Sequence, residues 1–197
     1  MERSLRFESH AALDHKVEFI AMTIRESTPD DGATIAMLVS ESNRDVAITF
    51  GLNADNCPKH PSFCTEAWVR ADLERGERYF IIEENAGPVG CVAYETPSEG
   101  LAYLNRLSVL PKFRKRGVGA RLVQHIVELA RTASIRTISI GVIGEHTELQ
   151  RWYRNLGFAD GETKRFPYLP FSVKYMAYTV SGDQSGSGQS LLKPSVP

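Results

Sequence analysis

"LSVLPKFRKRGVGARLVQHIVELAR", residues 107–131, runs from an apolar segment through a basic turn into a segment with helical periodicity. A strand carrying Leu107, Ser108 and Val109 must end at Pro111, because proline has no amide to give to a sheet ladder. Leu122, Ile126, Leu129 and Ala130 then recur at helical spacing and give the next segment one buried stripe. Between strand and helix, the spacing Arg114-x-x-Gly117-x-Gly119 brings successive backbone N–H groups round into a helix mouth, where the dipole favours an anion. Gly117 and Gly119 allow close backbone approach, and Arg114, Lys115 and Arg116 add positive charge. A basic turn that merely faces water is the competing reading. Two common nucleotide patterns are absent: no Gly-Lys-Ser/Thr follows the turn, and a G-x-G-x-x-G spacing ends on Leu122.

Upstream, "AYLNRLSVLP" (102–111) reads as the strand, and "YFIIEENAGPVGCVAYE" (79–95) as a hairpin turning at Asn85, Gly87 and Pro88. A helix from Thr65 carries Trp68, Val69 and Leu73 on one face and ends at "RGE" (75–77). The prolines and glycine of "TFGLNADNCPKHPSFC" (49–64) make a loop. Before it, Thr28 starts a helix with Pro29 at its first position, acids in its first turn, and Ile35, Leu38 and Val39 on its buried face. "EFIAMTIRES" (18–27), apolar on both faces, is the first strand.

Downstream, "TISIGVIG" (137–144) is short enough to be a buried strand. Thr147 and Gln150 form a capping box for a helix bearing Leu149, Trp152, Tyr153 and Leu156, which Gly157 closes in the left-handed conformation. "FADGETKRFPYLPFSVKYMAYTV" (158–180) holds two strands around a Pro-rich connection. Residues 1–17 are a polar flexible leader, 18–180 one domain, and 181–197 a disordered Gly/Ser-rich tail. The order of elements implies an α/β or α+β fold, with helices over a mixed sheet.

Bulk properties narrow the partners. At 197 residues, with 42% hydrophobic and 24% charged, the chain can bury a real core. A net charge of −1 gives no chain-wide field for nucleic acid or an anionic membrane, so neither is expected as a partner. The opening residues lack the apolar core of a signal peptide, and no apolar run approaches the roughly 18 residues of a membrane span. Cys57, Cys64 and Cys91 are then free thiols, and the expected location is cytoplasmic.

"LSVLPKFRKRGVGARLV" resembles the signature segment of the GNAT superfamily of acetyl-CoA-dependent N-acetyltransferases, in which R/Q-x-x-G-x-G/A follows a strand and opens a helix. "HTELQRWYRNLGF" (146–158) is similar to that family's helix ending in Tyr and then Leu-Gly-Phe. The resemblance covers about residues 18–180 and implies a mostly antiparallel mixed sheet flanked by helices. It implies that acetyl-CoA is the cosubstrate, its pantetheine arm hydrogen-bonded to the backbone of Leu107, Ser108 and Val109 between that strand and "TISIGVIG". Its pyrophosphate would sit on the N–H groups of Arg114, Lys115, Arg116, Gly117, Val118, Gly119 and Ala120. The acceptor would be an amine of a small molecule or peptide, and the resemblance adds that family members are often homodimers.

Tyr153 matches the family tyrosine that protonates the departing thiolate, although its helix face also suits a core aromatic. Many members place a glutamate base four residues before the position of Val109; this chain has Asn105, which takes no proton at neutral pH. That departure favours the alternative of a noncatalytic acyl-CoA-binding or sensing module. His146 stands where an asparagine often contacts the pantetheine, and reads as a cofactor contact, a proton relay or a helix-entry residue. Glu95 and Glu145 are other candidate bases, each with a solvated carboxylate as its plainer reading. Cys57, His60 and Cys64 in "CPKHPSFC" invite a zinc reading, but three ligands with unusual spacing make a poor structural site and no metal is expected. The resemblance instead makes that loop a wall of the acceptor pocket.

Overall fold

The structure is a computed structural model and describes residues 22–85 and 87–180. The expected leader, the tail and the start of the first strand at residues 18–21 lie outside the described residues. In chain order the elements are β1 (Thr23–Glu26), α1 (Gly32–Thr49), α2 (Glu66–Glu74), β2 (Arg78–Glu84), β3 (Gly87–Ser98), β4 (Leu101–Val109), α3 (Val118–Thr132), β5 (Thr137–Ile143), α4 (Thr147–Asn155), β6 (Ala159–Arg165) and β7 (Ser172–Thr179). They form a seven-stranded sheet in the order β1-β2-β3-β4-β5-β7-β6, in which only β4 and β5 run parallel.

The apolar runs of the central strands are continuous because both faces of the sheet are covered. Tyr79, Ile81, Cys91 and Ala93 face Ile35, Leu38, Val39 and Val69 of α1 and α2. Phe80, Ile82, Val92 and Leu104 face Val118, Leu122, Ile126 and Ala130 of α3. Each fully buried aliphatic side chain in these layers contributes about 1.5–3 kcal/mol from apolar burial. Of the expected stripe on α3, Leu122, Ile126 and Ala130 are buried and Leu129 is half-buried at its edge.

Thr28 and Pro29 open a 3-10 turn, Pro29–Asp31, before the α-helix proper. Asp31 Oδ2 accepts from the Thr28 amide at 2.8 Å, and the Asp31 carboxylate takes a two-pronged contact from Arg25 of β1 at 2.8 Å on each oxygen. Hydrogen bonds from Arg25 hold the Asp31 carboxyl well below the usual carboxylate range. A depressed folded-state pKa contributes stability above the unfolded value near pH 4, and that contribution is lost as pH falls through the folded value. Because the pair is partly exposed, Asp31→Asn is expected to cost only about 1 kcal/mol at pH 7. The difference should shrink as pH falls below about 4, which urea unfolding of both proteins at pH 7 and pH 2.5 would read.

The start of α4 differs from the sequence reading. His146 is the N-cap, no side chain caps the helix, and Thr147 is its first helical residue. Gln150 turns away from the helix mouth, giving its Nε2 to Gly144 O at 2.7 Å and so tying α4 to the end of β5. The capping box is lost because those strand-end carbonyls compete for the same amide. Gly157, at φ +95°, closes the helix as expected.

Candidate active site

The ladder between β4 and β5 is short: Leu101, Ala102 and Tyr103 pair with Thr137, Ile138 and Ser139, and there it stops. Beyond Tyr103 a bulge disturbs β4, where Cys91 faces Ser108 while Ala93 faces Asn105, and Arg106 takes φ +50°. The two strands part, and the cleft between them is lined by Leu104–Leu107 on one side and Ile140–Ile143 on the other. Asn43 and Val46 of α1 and Leu149 of α4 line both this cleft, about 280 Å³, and an adjoining one of about 400 Å³ over the basic turn.

Around that turn the backbone has spare donors. The Arg114 amide goes to Pro111 O and the Arg121 amide to Gly117 O, while the amides of Lys115 through Ala120 meet no acceptor among the described residues. Lys115 at φ +58° and Gly117 at φ +81° take left-handed conformations on either side of Arg116, and reversals of this kind turn nearby amides into a concavity. Gly119 packs against Trp152, whose ring a Cβ would meet at 3.3 Å. Val118 is buried and Ala120 half-buried beneath the turn.

The basic side chains divide their work. Arg114 gives Nε to Val109 O at 3.1 Å and Nη2 to Ser42 O at 2.5 Å, and it pairs with Asp45 of α1. Arg116 pairs with Glu84 at 2.5 Å and lies over the Phe113 ring. Lys115 is exposed with no ion-pair partner among the described residues.

Leu107 and Val109 line the cleft system, whereas Ser108 is buried on the opposite face of β4, where its Oγ accepts from Asn43 Nδ2 at 3.4 Å. His146 lines both parts of the cleft and packs its ring 5.4 Å from that of Phe50. Tyr153 is 5% exposed, held between Trp152 at 4.8 Å and Phe158 at 5.2 Å. Its hydroxyl meets no hydrogen-bond partner among the described residues, and burial pushes its pKa up, so it stays protonated at neutral pH.

The other sequence candidates separate. Glu145 is taken up by the Ser172 amide and hydroxyl at the start of β7. His60 Nδ1 accepts from the Ser62 amide at 3.2 Å, so the ring proton sits on Nε2; burial lowers its pKa and keeps it neutral. Cys57 packs with Ala47 and Leu52, and Cys64 with the α1–α2 layer, so the cluster is divided between two apolar sites. Among the described residues no group of His, Cys, Asp or Glu is arranged to hold a metal ion. His60 and Pro61 do line the cleft, opposite Phe171 from the β6–β7 connection.

Asn105 is not isolated. Its Nδ2 donates to Glu77 Oε1 at 2.9 Å and to Glu95 Oε2 at 3.3 Å. Glu77 is 5% exposed, and burial raises its pKa against the opposing Asn105 hydrogen bond. Beside it, Asp72 accepts from Tyr79 Oη at 2.8 Å and Arg106 Nε at 3.0 Å and pairs with Arg75 at 2.5 Å. Sequence reasoning missed Glu77, Asp72 and Arg106. The adjacent polar pair Asn105-Arg106 in an otherwise apolar strand was the available signal, since it breaks strand alternation where the bulge lies.

Comparison with known proteins gives concordant results. The model of the acetyltransferase (GNAT) family matches residues 47–158. An uncharacterized N-acetyltransferase of Methanocaldococcus jannaschii is 30% identical over 101 residues, which are 48% of this chain and 44% of that protein. The chain therefore spans less than half the length of that relative. The ribosomal-protein-S18-alanine N-acetyltransferase of Escherichia coli superposes with a TM-score of 0.66 at 15% identity, covering 88% of this chain and 100% of the other. The PaiA N-acetyltransferase of Thermoplasma acidophilum, solved in complex with coenzyme A, gives 0.69 at 14% identity, covering 81% and 99%. At these identities the two structures establish the likeness of fold.

Proposed function

The chain belongs to the acetyltransferase (GNAT) family, and from that premise we propose that it moves an acetyl group from acetyl-CoA to a primary amine by direct attack within a ternary complex. The observation that carries the reading is the run of amides from Lys115 to Ala120 that meet no acceptor among the described residues, at one end of a cleft whose other end is lined by Tyr153. The amides and Lys115 would hold the pyrophosphate, and the edge of β4 that β5 leaves unpaired at Leu107 and Val109, where Arg114 already meets the Val109 carbonyl, the pantetheine amides, with His146 beside them.

Acetyl-CoA supplies a thioester carbonyl to the cleft. Tyr153, neutral and with no hydroxyl partner among the described residues, would give its proton to the departing thiolate as the unprotonated amine nitrogen attacks and the carbon–sulfur bond breaks. The proton the nitrogen sheds would return to the phenolate through solvent. Direct transfer is supported by the cysteines: Cys57, Cys64 and Cys91 are free and buried, none lines the cleft, and burial raises the pKa of each thiol. Free thiols also fit a reducing cytoplasmic setting. No helix among the described residues is long and apolar enough to cross a membrane. We assign residues 18–180 as one catalytic domain and the acceptor as a small-molecule or peptide amine.

The test is acetyl-CoA-dependent release of free thiol over pooled amines, peptides and aminoglycosides. Release in one pool identifies the acceptor class. Binding of acetyl-CoA with no release in any pool would sink the transferase reading in favour of a binding module.

A further inference from the structure

The carboxamide of Asn105 lies between two carboxylates, and this fixes its orientation. Nδ2 lies against Glu77 Oε1 at 2.9 Å and Glu95 Oε2 at 3.3 Å, so both of its protons are used there. Oδ1 is then the polar atom of this cleft-lining side chain left over for a ligand, and it can only accept. The same arrangement accounts for the departure from glutamate at this position. A third carboxylate against Glu77 and Glu95 would be driven to protonate or to move away, whereas a neutral amide satisfies both acids.

The two acids are also short of cations. Arg75 and Arg106 make their close contacts with Asp72; Arg75 approaches Glu77 only at 3.8 Å, and no ion pair joins Glu95 among the described residues. Glu95, a carboxylate with no ion-pair partner among the described residues, therefore favours a ligand that arrives carrying a positive charge.

We propose that Glu77 and Glu95 clamp Asn105 so that Oδ1 orients the amine of the acceptor, which this pocket draws in as an ammonium group and which gives one proton to solvent before its nitrogen attacks. Asn105 is thus an amine-binding residue, and Glu77 and Glu95 are positioning residues. The inference rests on the acetyl-transfer reading, because it takes the cleft-lining Asn105 to face the acceptor and not the cosubstrate.

The experiment uses the full chain labelled with ¹⁵N, with propylamine as the probe. The Asn105 Nδ2 proton pair, identified by its loss in Asn105→Leu, is expected to be shifted downfield and slow to exchange. It should return to free-amide positions in Glu77→Leu and stay in place in Glu77→Gln, whose amide oxygen still accepts. With coenzyme A present, millimolar propylamine should move this pair in the wild type. Turnover of propylamine should fall about 100-fold in Asn105→Leu and Glu77→Leu, the scale of a misplaced reactant, with most of the loss recovered in Glu77→Gln. Acetyl-CoA affinity should be unchanged in all three variants.

A wild-type carboxamide at free-amide positions, or one that propylamine leaves unmoved, overturns the proposal even if Glu77→Leu fails to fold. Equal losses in Glu77→Gln and Glu77→Leu overturn the clamp. A wild-type chain that does not bind acetyl-CoA refutes the acetyl-transfer reading itself, a failure that binding calorimetry separates from the others.

Discussion

Gly117→Glu is expected to abolish acetyl-CoA binding, raising Kd at least about 1,000-fold, the scale of several charge-assisted hydrogen bonds lost together. Gly117 has φ +81°, and a side chain there costs about 1–2 kcal/mol of backbone strain. No atom lies within 4 Å of where its Cβ would be, so the carboxylate has room and the fold should survive. That room opens onto the amides of Lys115 to Ala120, where the carboxylate would both occupy the donors and repel a phosphate. Gly117→Asn, which tolerates the left-handed conformation and adds no charge, should lose far less. Titration calorimetry checks both variants, with thermal melts to show that they are folded. Full affinity in Gly117→Glu would refute the cradle.

Tyr153→Phe should reduce turnover about 100-fold or more, the usual worth of a positioned proton donor, while leaving acetyl-CoA affinity within about twofold. The reason for expecting this separation is that the hydroxyl has no partner to lose among the described residues, and the ring contacts with Trp152 and Phe158 are kept by phenylalanine. A core tyrosine with a structural hydroxyl would show the opposite pattern, with lower stability and unchanged turnover. Steady-state thiol release and a melting curve on the same preparation distinguish the two.

What could be read in the sequence was what short-range chemistry dictates. Pro111 ended a strand, Gly117 and Gly119 opened a helix, and the apolar periods of residues 118–132 and 147–155 gave helices at those places. The motif residues of both segments converge on one cleft because the parallel β4–β5 pair carries them to the same end of the sheet. Long-range contacts were hidden. Glu77 looked like the end of a helix, and only the pairing of β2 with β3 brings Glu95 beside it and that of β3 with β4 brings Asn105. Gln150 had the spacing of a cap, but carbonyls from β5, outside its own helix, outbid the helix mouth.

Arg114 is the most conspicuous charge of the basic turn, yet its guanidinium reaches three segments of chain at once: the end of β4, and two successive turns of α1 through Ser42 and Asp45. It behaves as a hinge pin that sets the distance between helix and strand. Lysine keeps the charge but, as a single point donor on a flexible stem, has no planar fork with which to span all three. An exchange usually counted as conservative would therefore alter the width of the groove, and the gauge of this pocket is written in a residue whose charge suggests a different task.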